Sequence, residues 1–300
     1  MRRIVISIMA ACCLFVSCNK EFNDVTRVVS DSNESKAIVF GLGGEFASVE
    51  NKSVTVSTAD LVKTNGFTVT AITSEGVTLI DSKAATWKES ASNYQTATPY
   101  YYPATGTTGF YAVYPSRVIG VVSAAASLSY TNDKNTDLLA AKTTGVSASD
   151  NSVALAFAHI LSQVCFTAKG SDNAVTYKVT SISLSAPGNG TYAFASNSWT
   201  AGTAATSSYL STTTSVATDK ATALGEVQTY LPSEMEATVK WECYSGDSKV
   251  AEYSKSTKFT PTMGKKCTVN LTLPNASAKP ITFDISVADW GSEDKNVTLN

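Results

Sequence analysis

From Phe67 to Trp290, nearly every apolar run in this chain skips a residue. "FTVTAITS", "YKVTSISLS", "ATVKWECY", "CTVNLTL" and "ITFDISVADW" each alternate Val, Ile, Leu or an aromatic with Thr, Ser, Lys or Asp. A period of two sends the apolar residues to one face of a strand and the polar ones to the other, so these segments read as half-buried strands with solvent on the second face. Gly, Asn, Asp and Ser clusters separate them. "TADLVKTNGF" predicts one helical turn stopped at Asn65-Gly66. Many short strands without helical spacers predict an all-β chain of antiparallel sandwiches.

At 300 residues the chain is long enough for two cores. "VALAFAHILSQVCFTAK", Val153 to Lys169, marks the expected join. Val153, Leu155, Phe157, His159 and Leu161 share one parity and Val164 and Phe166 the other, which predicts a bulge or crossover near Ser162-Gln163. The polar "TTGVSASDNS" just before it places a boundary near residue 150. The expectation is an N-terminal β-sandwich over residues 37–150 and a C-terminal one over 151–300. The Ser/Thr-rich stretch from Ser196 to Lys220 reads as long loops around a short strand.

The first residues carry an address. Arg2 and Arg3 precede an uncharged run from Ile4 to Ser17 that is too short to span a bilayer, so residues 1–17 read as a secretory signal. "LFVSC" is similar to a bacterial lipobox, which makes Cys18 the expected lipidation site and residues 18–36 a polar tether. Each buried methylene of an acyl chain contributes about 0.8 kcal/mol of membrane affinity. An ordinary secreted protein cleaved nearby is the other reading of the same residues.

Chemistry is sparse. With charged residues at 16% and a net charge of -2, there is no basic patch to hold phosphates and no nucleic-acid partner is expected. His159 is the sole histidine, which excludes an HExxH zinc site and leaves a Ser-His-Asp arrangement without marked partners; it reads as a hydrogen-bonded histidine at a sheet junction. "DKNTD", Asp133 to Asp137, copies the opening of a calcium loop, but Leu138 stands where glycine is needed and Thr144 where glutamate is. A polar turn before a strand fits better, so no metal and no cofactor are expected.

Of the cysteines beyond Cys18, only Cys165, Cys243 and Cys267 remain, an odd number; Cys243 and Cys267 would bridge on neighbouring strands and otherwise be buried. Tyr100 and Tyr102 in "PYYYPATGTTGFYAVYP" share a parity, suiting either core packing beside a hairpin turn or a sugar-stacking platform. Glu234 and Glu236 follow "YLPS" at a turn, with nothing to set them beside a cleft. The chain reads as non-enzymatic.

Several patches taken in order resemble one family. The lipobox, "KAIVFGLGG", "YYYPATGTTGFYAVYP", "DLLAA", "LAFAHILSQVCFTAK", "GNGTYAFASNSW", "VQTYLP", "FTPTMGKKCTVNLTL" and "ITFDISVADW" are similar to the fimbrillin-like (Mfa-like) type V pilins of the Bacteroidia. The resemblance implies two tandem transthyretin-like sandwich domains. It implies export as a lipoprotein to the outer membrane and cell surface, with assembly into a fimbria with other pilin subunits. In such pilins a protease removes the first strand, and a C-terminal strand of another subunit fills the groove.

Carried onto this chain, Ile38, Phe40 and Leu42 form the acceptor-groove strand and Ile281, Phe283, Ile285 and Val287 the donor strand. The family's cut follows an arginine after the first strand. Here that segment offers Lys52, while Arg27 lies ahead of the strand, where cutting would free the tether and leave the groove filled. The alternative is a lipid-anchored surface protein that binds a host or glycan ligand and does not polymerise.

Overall fold

The computed structural model describes residues 36–43, 58–116, 121–122, 126–150, 152–275 and 281–290. The signal segment, Cys18, Arg27 and Lys52 lie outside them. No helix among the described residues is long and apolar enough to cross a membrane.

In chain order, β1 (Phe40–Leu42) precedes the helix α1 (Thr58–Asn65), and β2 (Phe67–Thr73), β3 (Thr78–Lys88) and β4 (Asn93–Thr96) follow. Next come β5 (Thr108–Tyr114), β6 (Val121–Val122), β7 (Ser127–Thr131) and β8 (Leu139–Val146), then the short β9 (Val153–Leu155) and β10 (Ala158–His159). Beyond these lie β11 (Ser162–Gly170), β12 (Thr176–Pro187), β13 (Asn189–Ala193), β14 (Ser198–Ala201), β15 (Ala204–Leu210) and β16 (Thr214–Val216). β17 (Thr222–Tyr230), β18 (Met235–Ser245), β19 (Ser248–Phe259), β20 (Lys265–Leu273) and β21 (Thr282–Asp289) complete the fold.

The described residues are all-β apart from α1, which makes two turns rather than one. Val62 buries completely in the first core, and Gly66, at φ +65°, donates its N–H to the Val62 carbonyl at 2.8 Å, a left-handed cap that ends the helix.

An eight-stranded sheet has the order β10-β8-β5-β2-β3-β4-β1-β9. Its two end strands are consecutive in the chain, joined by Ala156 and Phe157 alone. A peptide spans at most about 3.6 Å per residue, so the two ends of the sheet must meet and the sheet is rolled on itself. Phe40, Phe67, Tyr94, Phe110 and Phe157 fill the roll. Thr68 and Thr70 were expected on a wet face, but β2 is covered on both sides. The Thr68 hydroxyl donates to the Ser116 carbonyl at 2.8 Å, and the Ser82 N–H donates to Thr70 Oγ1 at 3.2 Å.

A second core lies between the sheets β17-β11-β20-β21 and β15-β12-β18-β19, with β16 added to β12. Phe166, Tyr177, Leu184, Trp241 and Val269 are at its centre. The last sheet, β14-β13-β7-β6, pairs β7 with β13, strands from before and after residue 150. It covers a third cluster that includes Leu128, Ile160, Leu161, Tyr192, Phe194 and Trp290.

Four further details differ from the sequence reading. Val153, Leu155 and Phe157 alternate with exposed alanines, but the phase slips at His159–Leu161, just before Ser162, because the chain there leaves one sheet for another. The strands are not all antiparallel: β1 with β9 and β11 with β20 are parallel pairs. Residues 196–220 hold β14, β15 and β16 rather than long loops; Ser and Thr pave solvent faces, which hid the period. Tyr100 and Tyr102 lie outside any strand, since Pro99 and Pro103 remove two ladder donors around them.

Candidate functional site

β1 is short but fully engaged. Phe40 is opposite Tyr94 of β4 on one side, and Phe40, Gly41 and Leu42 pair with Val153, Ala154 and Leu155 of β9 on the other. Ahead of it, the Ile38 N–H donates to the Tyr100 carbonyl at 2.7 Å. Ile38 and Phe40 are buried and Leu42 is half-buried. The Phe40 ring meets Phe67 and Phe110 edge-on, each at 5.8 Å. Without β1, the facing edges of β4 and β9 would be unpaired above an aromatic floor.

Among the described residues β21 is an edge strand, in unbroken antiparallel register with β20 from Thr272↔Thr282 to Lys265↔Asp289. Ile281, Phe283 and Ile285 lean on the second core and are partly buried, while Val287 is 47% exposed. The Lys265 ammonium donates to Asp289 at 2.5 Å, and that hydrogen bond holds the Asp289 carboxyl below its ordinary range. The best-buried residue of this segment is Trp290, at 8% exposure. Sequence reading gave it no role; its signal was an aromatic at the end of the alternation and on the opposite parity.

Trp290 leads to His159. The imidazole and indole are stacked, with centroids 4.4 Å apart and planes 17° from parallel, and His159 Nδ1 is 2.8 Å from Asp137 Oδ1. The Ile160 N–H donates to the Leu138 carbonyl at 3.1 Å, and the Trp199 indole N–H donates to the Ile160 carbonyl at 2.6 Å. With one nitrogen committed to a carboxylate and one face to an indole, His159 is built into the join as a structural group.

The other candidates are equally settled. Asp133 Oδ1 accepts the N–H groups of Asn135 and Thr136 at 2.9 and 2.7 Å, and Oδ2 accepts the Thr136 hydroxyl, so the "DKNTD" segment is a self-bonded turn leading into β8. Among the described residues, no group of three His, Cys, Asp or Glu converges on a metal site. Cys165, Cys243 and Cys267 are buried and form no disulfide with one another, and burial pushes the Cys267 thiol up to about 12. Cys243 on β18 and Cys267 on β20 belong to different sheets and do not pair. Glu234 is spent on an exposed ion pair with Lys258 at 2.9 Å.

Tyr100 and Tyr102 pack against the first core, Tyr102 edge-on to Phe110 at 6.3 Å, which leaves Tyr101 as the exposed ring of the three at 45%. A groove of about 800 Å³ is lined by hydroxyls and amides, among them Ser129, Thr131, Asn189, Thr191 and Thr200. None of the three tyrosines reaches it.

Three solved structures share the fold, each crystallised as a candidate cell adhesion protein. That of Parabacteroides distasonis ATCC 8503 aligns with a TM-score of 0.55 at 9% identity, covering 87% of this chain and 98% of its own. For Bacteroides eggerthii DSM 20697 the values are 0.53, 11%, 86% and 96%. For Bacteroides ovatus ATCC 8483 they are 0.51, 17%, 87% and 100%. No curated protein matches the sequence. The profile of the fimbrillin-like family spans residues 26–290, that is, both rolled sheet and sandwich, and the chain belongs to that family.

Proposed function

We propose that this protein is exported to the bacterial cell surface as a lipoprotein and, after proteolytic removal of its first strand, is assembled with other fimbrial subunits by strand exchange. The observation that carries the reading is the position of β1: a buried strand between β4 and β9, connected to the rest of the chain through residues 44–57, which contain Lys52. A cut after Lys52 would sever β1 from the body and open a groove walled by backbone edges and floored by Phe67 and Phe110. A cut at Arg27 would leave β1 in place.

Family membership supports the fimbrial role, and the family is one of fimbrial structural proteins, so the protein is not an enzyme. The description of the three fold neighbours as candidate cell adhesion proteins accords with a surface location. In this reading Cys18 carries the lipid and residues 18–36 tether two sandwich modules, residues 37–150 and 151–300, to the outer membrane until the cut after Lys52 releases the body from lipid, tether and β1. Ile281, Phe283, Ile285 and Val287 supply the strand that enters a neighbour's groove. They already alternate toward an apolar surface, and β21, held on one side by β20, can leave without breaking a sheet interior.

The test is N-terminal sequencing and intact mass of the protein taken from its native cell surface. A start at Ser53 with oligomer ladders on mild gels is the expected result. A lipidated start at Cys18 with no ladder would reduce it to an anchor or a monomeric surface protein.

A further inference from the structure

β9 has a single ladder partner among the described residues, and that partner is β1. The Val153 N–H donates to the Val39 carbonyl and the Gly43 N–H to the Leu155 carbonyl, each at 2.9 Å. Besides that ladder, β9 is held by the Thr143 hydroxyl, which donates to the Ala154 carbonyl, and by Val153 and Leu155, which bury completely in the core they share with Phe40. Four residues after Leu155 the chain reaches His159, the ring on which Trp290 is stacked. Trp290 is also the most deeply buried residue of the C-terminal segment, whose preceding residues are half-buried or exposed.

We propose that β1 and Trp290 are coupled through β9 and His159, so that loss of β1 unseats Trp290 and frees β21. This rests on the reading that β1 is removed by processing. When β1 leaves, the three residues of β9 lose their ladder partners, and Val153 and Leu155 lose the Phe40 ring from the core they share, so the strand loses most of what fixes its place. The two-residue link to β10 then passes the slack to His159, whose side chain is 14% exposed in the intact protein. Its stacking with the indole helps to pin the far end of β21, beside the Lys265–Asp289 ion pair and the last rung of the β20 ladder. One cut thereby opens the acceptor groove and releases the donor strand of the same molecule, while uncut subunits keep both closed and do not polymerise early.

The experiment is amide hydrogen exchange on β21, with β18 of the same molecule as internal reference. It compares the intact chain, His159→Ala, and a chain carrying a sequence-specific protease site in place of residues 46–52, cut and with departure of β1 checked by native mass. Where the cut segment stays bound, Phe40→Ala in the uncut chain loosens β1 and gives the same readout. The expected result is exchange on β21 faster by roughly tenfold or more, with β18 still protected, both on loss of β1 and in His159→Ala. Unchanged exchange on β21, or acceleration of β21 and β18 together, overturns the coupling. Polymerisation is scored separately: cut protein that polymerises with β21 unchanged retains the fimbrial reading and loses the coupling. Cut protein with β21 released that stays monomeric retains the coupling and loses strand exchange.

Discussion

Phe40 is opposite Val153 in a parallel ladder, so the first strand of the fold is hydrogen-bonded to a strand that lies beyond residue 150 in the chain. That pairing places the Phe40 ring at the centre of the rolled sheet, fully buried against Phe67 and Phe110. Phe40→Ala removes the ring and leaves a cavity between two aromatics that cannot both move in. The expected cost is about 3–5 kcal/mol, read as a lower urea midpoint with an unchanged slope. A loss below about 1 kcal/mol would mean that β1 contributes little to the resting fold.

Gly66 ends α1 at φ +65°, and a Cβ there would lie 2.5 Å from the Ala85 carbonyl oxygen, a backbone atom with no freedom to move. Gly66→Ala therefore combines left-handed strain with a clash, and about 1–3 kcal/mol of destabilisation is expected from chemical denaturation. An equal or more stable variant would show that the helix end relaxes without cost.

The turn at Asp133 is held by its own carboxylate. Asp133→Ala leaves the Asn135 and Thr136 N–H groups without that acceptor and is expected to cost about 1–3 kcal/mol. Adding calcium is expected to leave the melting temperature of the native protein unchanged, because the carboxylate oxygens already accept protein donors. A calcium-dependent rise would reinstate a metal role for Asp133 to Asp137.

Alkali should unfold the protein through its buried acids. Burial raises the Cys267 thiol and the Tyr94 phenol each to about 12. A neutral form held more firmly in the fold than in the unfolded chain has no effect on stability below the ordinary values, about 8.5 for a thiol and about 10 for a phenol. Stability is then lost as pH rises through those values toward about 12. The urea midpoint is expected to be flat from pH 7 to 8 and to fall steadily above pH 9. In a chain begun at Asn19, a thiol reagent at pH 8 is expected to label none of the three cysteines until denaturant is added.

Tyr101 and Tyr102 are neighbours with opposite fates. Tyr102→Ala strips a ring from the first core and is expected to destabilise by roughly 2–4 kcal/mol, while Tyr101→Ala should stay within about 0.5 kcal/mol of the native protein. Binding of array polysaccharides by the native protein that Tyr101→Ala abolishes would instead establish a glycan site at this exposed ring.

Much of this was legible in the residues. The period of two in β12, β18, β20 and β21 foretold strands and the faces they bury, because alternation is imposed locally by the extended backbone. The stop at Gly66, the turn at Asp133 and the structural reading of His159 were legible for the same reason: each depends on chemistry within a few residues or on the absence of partners of a given type.

Pairing was not legible. Nothing in the alternation of Val153 and Leu155 says that β9 lies beside β1 while β10, two residues later, lies at the opposite end of the same sheet order. Nor does it say that β7 and β13 share a sheet across residue 150, or that Trp290 ends its strand on an imidazole from β10 of the rolled sheet. A strand's period specifies which face is apolar but not which other apolar face will cover it. That choice is made when the roll closes, and it depends on volumes and edges contributed from the whole chain. The alternation in the sequence made the chain a β protein; the closing of the rolled sheet joined its first strand, its only histidine and its last tryptophan.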